Sequence, residues 1–159
     1  VLNGVSKAYS MTGWRIGYAA GPQALIGAMK KIQSQSTSNP TSIAQFAAQA
    51  ALEGDQVCVQ NMVKVFKQRH DYMVKALNEI DGIKCLAGDG TFYVFPDFSG
   101  MQAKLGCATD TDLAEKLLEA GVALVPGSAF GTPGHMRISF ATSEDHLEKS
   151  IERLKAASI

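Results

Sequence analysis

The sequence is poor in the features that most often announce a function. No run of about 18 apolar residues is present, so no helix of this chain is expected to cross a bilayer. Neither sign of charge is in excess: Lys and Arg number 15, and so do Asp and Glu. Without a basic field there is nothing to gather nucleic acid, and no such partner is expected. Only three cysteines occur, Cys58, Cys85 and Cys107, widely separated and with no C-x-x-C pair. An odd number leaves a disulfide framework with one thiol over, and no ligand spacing supports a metal site. Reduced, mostly buried thiols in a cytoplasmic setting is the reading that remains. Internal repeats, low-complexity tracts, phosphate-cradling glycine loops and a Ser-His-Asp order are all lacking. The histidines, His70, His135 and His146, suggest no catalytic part; His70 falls on an apolar helical seam and reads as a satisfied core or interface residue.

What is present is a chain of 159 residues, 46% hydrophobic. That length buries about 70% of its unfolded surface, which suffices for one or at most two domains. Ala19-Ala20-Gly21-Pro22 is a turn, after which Leu25, Ile26, Met29 and Ile32 keep helical spacing through Gln35. The polar stretch from Ser34 to Pro40 is a loop. A second helix opens at Ser42, with Gln45 placed for a capping box and Ile43, Phe46, Ala47, Ala50 and Ala51 facing a neighbour. Gln56 to Ile80 reads as one long helix stopped by Asp81-Gly82. Beyond it the texture is α+β: strands at Ile83–Leu86, Thr91–Phe95, Val122–Val125 and Met136–Phe140, with helices at Asp110–Ala120 and Ser143–Ala157. The last helix turns Leu147, Ile151 and Leu154 inward. A domain boundary is expected inside the long helix near Met73, giving residues 1–72 and 73–159.

Three cations stand out from this background. Lys7 follows Gly4-Val5-Ser6, where small neighbours let a bulky ligand approach the backbone. Taken alone, such a lysine is far more often a solvated surface charge. Arg15 lies in Trp14-Arg15-Ile16-Gly17-Tyr18, read as a strand that buries Trp14, Ile16 and Tyr18 and turns Arg15 to the other face. Arg137 lies in Met136-Arg137-Ile138-Ser139-Phe140, on the face opposite Met136, Ile138 and Phe140. An arginine in either place could equally be a surface residue or a structural ion-pair partner.

The fourteen positions from Gly4 to Gly17 resemble the lysine signature of the class I aminotransferases, which depend on pyridoxal phosphate. Gly4, Val5, Ser6, Lys7, Met11, Gly13, Arg15, Ile16 and Gly17 fall where that family places them. The resemblance implies that Lys7 forms a Schiff base with the cofactor aldehyde and, once freed, moves a proton between the substrate α-carbon and the cofactor. It implies that Arg15 grips the cofactor phosphate, for which a planar fork suits better than an ammonium. Members with serine three residues before the lysine use its hydroxyl on the phosphate; Gly4 stands there in this sequence. Gly134-His135-Met136-Arg137-Ile138-Ser139 looks like the family's substrate-binding strand, whose arginine clamps the α-carboxylate of the amino acid.

The same resemblance makes Asn39, in Ser38-Asn39-Pro40, part of a loop reaching toward a neighbouring subunit's site, although an ordinary helix connection reads as well. Phe92, in Gly90-Thr91-Phe92-Tyr93, would line the substrate pocket, or equally sit in the core. One branch of the family carries an arginine five residues before this asparagine; here the position is Ser34. Ser34-Gln35-Ser36-Thr37 and Ala44-Gln45 are similar instead to prokaryotic-type aspartate or aspartate/prephenate aminotransferases. The implied fold is α/β: the C-terminal part of a fold-type I transferase, comprising the end of a large domain, a linking helix and an α+β small domain. The implied reaction is transfer of an amino group, from aspartate in the leading reading, to 2-oxoglutarate in a homodimer. An aromatic or broad-specificity aminotransferase and a non-catalytic pyridoxal-phosphate regulatory domain are the alternatives. The sequence begins at Val1 with the motif almost at its terminus, so a longer parent is expected upstream. By itself the chain should then bind the cofactor weakly and not transaminate. Its first twenty or so residues, strands without their sheet, should be disordered or recruited by another copy.

Overall fold

The computed structural model describes residues 1–158. They form two compact units, Val1–Met62 and a second from Val63 onward. The division falls inside a single long helix, upstream of the expected boundary near Met73.

In the first unit, strands β1 (Leu2–Gly4) and β2 (Gly17–Ala19) pair antiparallel, Leu2 opposite Ala19 and Gly4 opposite Gly17. The opening residues thus pair with each other and are ordered as a hairpin. The expected strand through Trp14 is much shorter. Thr12–Trp14 is a 3₁₀ turn, and Arg15 leaves it in the left-handed region, φ 51° and ψ 47°, which breaks any extended run at that point. Trp14 and Tyr18 are consequently exposed rather than buried.

Helix α1 spans Gln23–Ser36 after Pro22, and α2 spans Ser42–Glu53. The face of α2 differs from the expected one. Ala44 and Ala48, one turn apart, are buried, while Ile43 and Phe46 are 67% and 72% exposed. A stripe of alanines permits close approach of backbone, and here that stripe rather than the bulky side of the helix is covered. The capping box at Ser42 does not form either. Thr41 holds the N-cap position without a side-chain bond, and Gln45 Nε2 reaches back to the Pro40 carbonyl at 2.8 Å.

Helix α3, Val57–Asn78, is 22 residues long, about 33 Å at 1.5 Å per residue. Its second half begins the second unit. There a three-stranded antiparallel sheet has the order β3 (Tyr93–Val94), β5 (Met136–Ser139), β4 (Val125–Pro126). Val94 faces Ile138, and Val125 faces Arg137. The strands are shorter than the sequence suggested. Ile83–Leu86 contributes only a bridge from Lys84 to Asp97, and the residues after Asp97 turn into an unforeseen short helix, α4 (Ser99–Lys104).

Helices α5 (Asp110–Glu119) and α6 (Glu144–Ala157) complete the unit. Both have side-chain N-caps, a Thr109/Asp112 capping box for α5 and Ser143 for α6. One core joins these parts: Met73 and Leu77 from α3, Leu113 and Leu117 from α5, Leu147, Ile151 and Leu154 from α6, with Val94, Met136 and Ile138 from the sheet. The period-two alternation of β5 therefore sends Met136 and Ile138 into the core and leaves Arg137 half-buried on the other face.

Candidate active-site residues

Lys7 and Arg15 are delivered by one hairpin. Beyond the Gly4–Gly17 rung, everything from Val5 to Ile16 is the connection that closes its far end, and both cations sit in it. That rung has little room for side chains. A Cβ on Gly17 would lie 3.1 Å from the Asn3 carbonyl oxygen, and one on Gly4 3.3 Å from that of Ile16. Val5 is buried and anchors the connection. The Tyr9 N–H donates to the Val5 carbonyl at 3.3 Å and the Ser10 N–H to the Lys7 carbonyl at 3.2 Å, so an exposed Lys7 rides on a hydrogen-bonded turn. The Tyr9 hydroxyl donates to Gln56 Oε1 at 2.9 Å, and Gln56 Nε2 in turn donates to the Gly54 carbonyl.

Arg15 is exposed, and its Nη1 donates to the Thr12 carbonyl at 3.1 Å, which satisfies an acceptor of the 3₁₀ turn. Holding a bulky residue at positive φ costs about 1–3 kcal/mol. The charge setting is one-sided. No Asp or Glu occurs before Glu53, so Lys7, Arg15, Lys30 and Lys31 stand among residues 1–52 without a carboxylate. Asn39 is exposed in the α1–α2 connection, just after Ser38 at φ 65°, away in sequence from the hairpin loop.

In the second unit Arg137 is built into an aromatic setting. Its guanidinium carbon lies over the Tyr93 ring at 4.6 Å and over the Phe130 ring at 4.8 Å. Tyr93 stands beside it because β3 pairs with β5, and Phe130 arrives on a 3₁₀ turn, Gly127–Phe130, directly after β4. Among the described residues no carboxylate lies within ion-pair distance of Arg137. Two ring faces thus hold a planar cation whose in-plane N–H donors are not spent on a salt bridge. Such a fork can take a carboxylate bidentately. Phe92 packs partly against the core and tilts against Tyr93, with ring centroids 4.2 Å apart. The structure therefore gathers Phe92 and Arg137 around Tyr93.

Sequence reasoning missed Tyr93, Phe130 and Asp110. Asp110 is 4% exposed, and its Oδ2 accepts the Ser128 N–H at 2.7 Å. Burial works to raise its pKa, but the hydrogen bonds from Ser128 and the Gly134 amide outweigh that and hold the carboxyl below its ordinary value. His70 is buried and satisfied: Nδ1 lies 2.9 Å from Asp71 Oδ1, and Nε2 accepts the Gly88 N–H at 3.1 Å. All three cysteines are free thiols, of which only Cys85 is buried. Among the described residues no group of three or more His, Cys, Asp or Glu is placed to hold a metal, and no helix is long and apolar enough to cross a membrane.

Comparison with known proteins decides the family. The model of the aminotransferase class I and II family matches residues 1–154. The chain belongs to the class I and II aminotransferases. It is 53% identical over 161 aligned positions to the aspartate/prephenate aminotransferase of Nitrosomonas europaea, covering 97% of this chain and 41% of that protein. To the aspartate aminotransferase of Geobacillus stearothermophilus it is 52% identical, covering 97% of this chain and 39% of the other. The crystal structure of the Rhizobium meliloti aspartate aminotransferase superposes with a TM-score of 0.94 at 49% identity, over 99% of this chain and 41% of that one. The chain therefore spans about two fifths of the length of the aminotransferases it matches. The α/β architecture anticipated from the family signature, that of the fold-type I transferases, is the one observed.

Proposed function

We propose that this chain supplies part of the active site of a pyridoxal-phosphate-dependent aminotransferase that moves an amino group from aspartate to 2-oxoglutarate. The observation that carries the reading is the emergence of Lys7 and Arg15 from one closed hairpin end. A primary amine and a guanidinium fork on the same connection fit a phosphate-bearing aldehyde. When bound, the cofactor supplies an electron sink for the substrate α-carbon.

The chain's own residues have separate tasks. Lys7 Nζ is the amine offered to the aldehyde carbon, and when free it carries a proton to and from the α-carbon. Arg15 holds the phosphate, with backbone N–H groups in place of the hydroxyl that Gly4 lacks. Arg137 takes the substrate α-carboxylate along the open edge of its guanidinium, while Phe92 and Asn39 contribute to the substrate surroundings. Residues 1–72 belong to a cofactor-binding part and residues 73–159 to a small substrate-binding part. In the whole protein we infer a cytoplasmic homodimer, in keeping with the three free thiols.

Borohydride reduction of the full-length enzyme with its cofactor, followed by peptide mapping, tests this directly. The expected result is a pyridoxyl group on Lys7 and loss of labelling in Lys7→Arg. A label on Lys30 or Lys31 instead would sink the assignment. For residues 1–159 alone, weak cofactor binding and no keto-acid release from aspartate are expected.

A further inference from the structure

We propose that Asp110 is a positioning residue for the Arg137 guanidinium, acting through the turn that carries Phe130. The proposal rests on Arg137 as the carboxylate-binding group. It starts from a residue that lies outside the capping box of its own helix. At the N-terminus of α5 the capping box is already complete, with the Asp112 N–H donating to Thr109 Oγ1 at 3.1 Å and the Thr109 N–H to Asp112 Oδ2 at 2.8 Å. Asp110 takes no part in it. Its buried carboxylate instead reaches across the chain to the Ser128 N–H at 2.7 Å, with the Ser128 hydroxyl and the Gly134 amide also favouring its charged form.

Ser128 and Gly134 bracket Phe130. Between them the backbone folds on itself: the Gly131 N–H donates to the Ser128 carbonyl at 3.1 Å, the Thr132 N–H to that of Gly127 at 3.0 Å, and the Gly127 N–H to that of His135 at 2.7 Å. Asp110 thus fastens the Ser128 end of one small loop to the start of α5. The ring at its tip has no comparable hold of its own. Phe130 is 47% exposed and lies outside the core cluster, and its ring meets Arg137 and an edge-on Phe95 at 6.0 Å. Core packing therefore does not decide where Phe130 sits; the backbone of the turn does. Among the described residues Asp110 is in no ion pair, so its charge is held by hydrogen bonds from the turn and not by a cation. Its place makes sense as a fixed peg for the loop whose ring covers the Arg137 guanidinium.

The test is made on this chain by nuclear magnetic resonance of the Arg137 side chain. Ring currents from Tyr93 and Phe130 displace its δ-methylene and Nε–H protons, and Phe130→Leu measures the share due to Phe130. Asp110→Ala should lose most of that share. Asp110→Asn, which keeps an acceptor oxygen, should lose less, and it decides alone if the alanine variant does not fold. Leu154→Ala, a core truncation on α6, controls for general loosening and should leave the displacement in place. Arg137 signals unmoved in both Asp110 variants, or moved as far by Leu154→Ala, overturn the proposal. Titration with acetate, read on the same Nε–H, tests the underlying assignment separately. Several-fold weaker acetate binding in Asp110→Ala supports both, whereas no acetate response in the unmodified chain overturns the carboxylate role and leaves the ring-current result to judge Asp110.

Discussion

The guanidinium carbon of Arg137 lies 4.6 Å from the centre of the Tyr93 ring, on the strand that pairs with its own. With Phe130 at 4.8 Å, the cation has two apolar faces beside it and keeps its donors in the plane. This is an arrangement that orients an arginine without neutralising it. Stacking of a guanidinium on an aromatic face is worth about 0.5–2 kcal/mol, the larger value where water is excluded. The geometry therefore favours one guanidinium plane and leaves the charge for a ligand.

The first expectation concerns that charge. Lysine in place of Arg137 keeps the sign but loses the fork and the flat stacking surface. In the full-length enzyme Arg137→Lys should raise the KM for the amino-acid substrate about tenfold or more, equivalent to about 1.4 kcal/mol, with a smaller change in kcat. Steady-state kinetics with aspartate measures it. An unchanged KM would remove Arg137 from the substrate site.

Asp110 predicts how stability depends on pH. Its carboxyl is held below the ordinary value in the folded chain, so the folded state binds that proton less readily than the unfolded one. Its contribution is present above the unfolded pKa of about 3.9 and is lost as pH falls through the lower folded value. Asp97 adds to the same trend, its pKa lowered chiefly by hydrogen bonds from Ser99. Urea unfolding at neutral pH and near pH 3 should show a smaller acid loss in Asp110→Asn than in the parent chain. An identical acid loss in the two proteins would mean that Asp110 titrates alike in both states.

The cysteines give a chemical test of the core. Burial pushes the Cys85 thiol up to about 11, whereas Cys58 is exposed at the start of α3. The thiolate is the reactive form, so near pH 8 a disulfide reagent should modify Cys58 rapidly and reach Cys85 only on unfolding. Because the folded pKa is raised, Cys85 stabilises the native state below the unfolded value and loses that contribution as pH rises toward 11. Mass spectrometry of the labelled chain distinguishes the two thiols, and early labelling of Cys85 would contradict its burial.

Much of this was legible in the sequence, for reasons that can be named residue by residue. Long periodic segments announced their helices: α1, α3, α5 and α6 fall within a few residues of their expected bounds, because caps such as Ser143 and apolar spacing such as Leu147, Ile151 and Leu154 act locally. The face of α2 was not legible, since Ala44 and Ala48 carry too little apolar surface to outweigh Ile43 and Phe46 in any local pattern. The strand through Trp14 failed because a single left-handed residue, Arg15, cannot be seen in an alternation of large and small side chains. Lys7, Arg15 and Arg137 are singled out as candidates by a family signature, not by periodicity. The aromatic partners of Arg137 were half visible. Alternation already set Tyr93 apart from Phe92 and Val94, and set Arg137 opposite Met136 and Ile138. Only the pairing of β3 with β5 brings those two outward faces together, and pairing is non-local.

Gly127 offers the sharpest test of how the Phe130 turn is seated. Its backbone needs no special dihedral, so the obstacle to a side chain is space alone. A Cβ there would lie 2.2 Å from the Thr132 carbonyl oxygen and 2.8 Å from that of His135, and both are backbone atoms. They are also tied to Gly127 itself, through Thr132 N–H to its carbonyl and its own N–H to His135, so neither can retreat without breaking the turn. Overpacking costs about 1–3 kcal/mol, and each of the two broken hydrogen bonds adds about 0.5–1.5 kcal/mol, so Gly127→Ala should destabilise the second unit by about 2–6 kcal/mol. Gly131, in the same turn, presents the opposite case. Its φ is +77°, yet nothing lies within 4 Å of a Cβ placed on it. Gly131→Ala meets only the left-handed penalty, about 1–2 kcal/mol. Urea denaturation of the two variants side by side separates the effects. Equal losses would show that conformation rather than close packing governs the turn, and the fixed placement of Phe130 on Arg137 would lose its support.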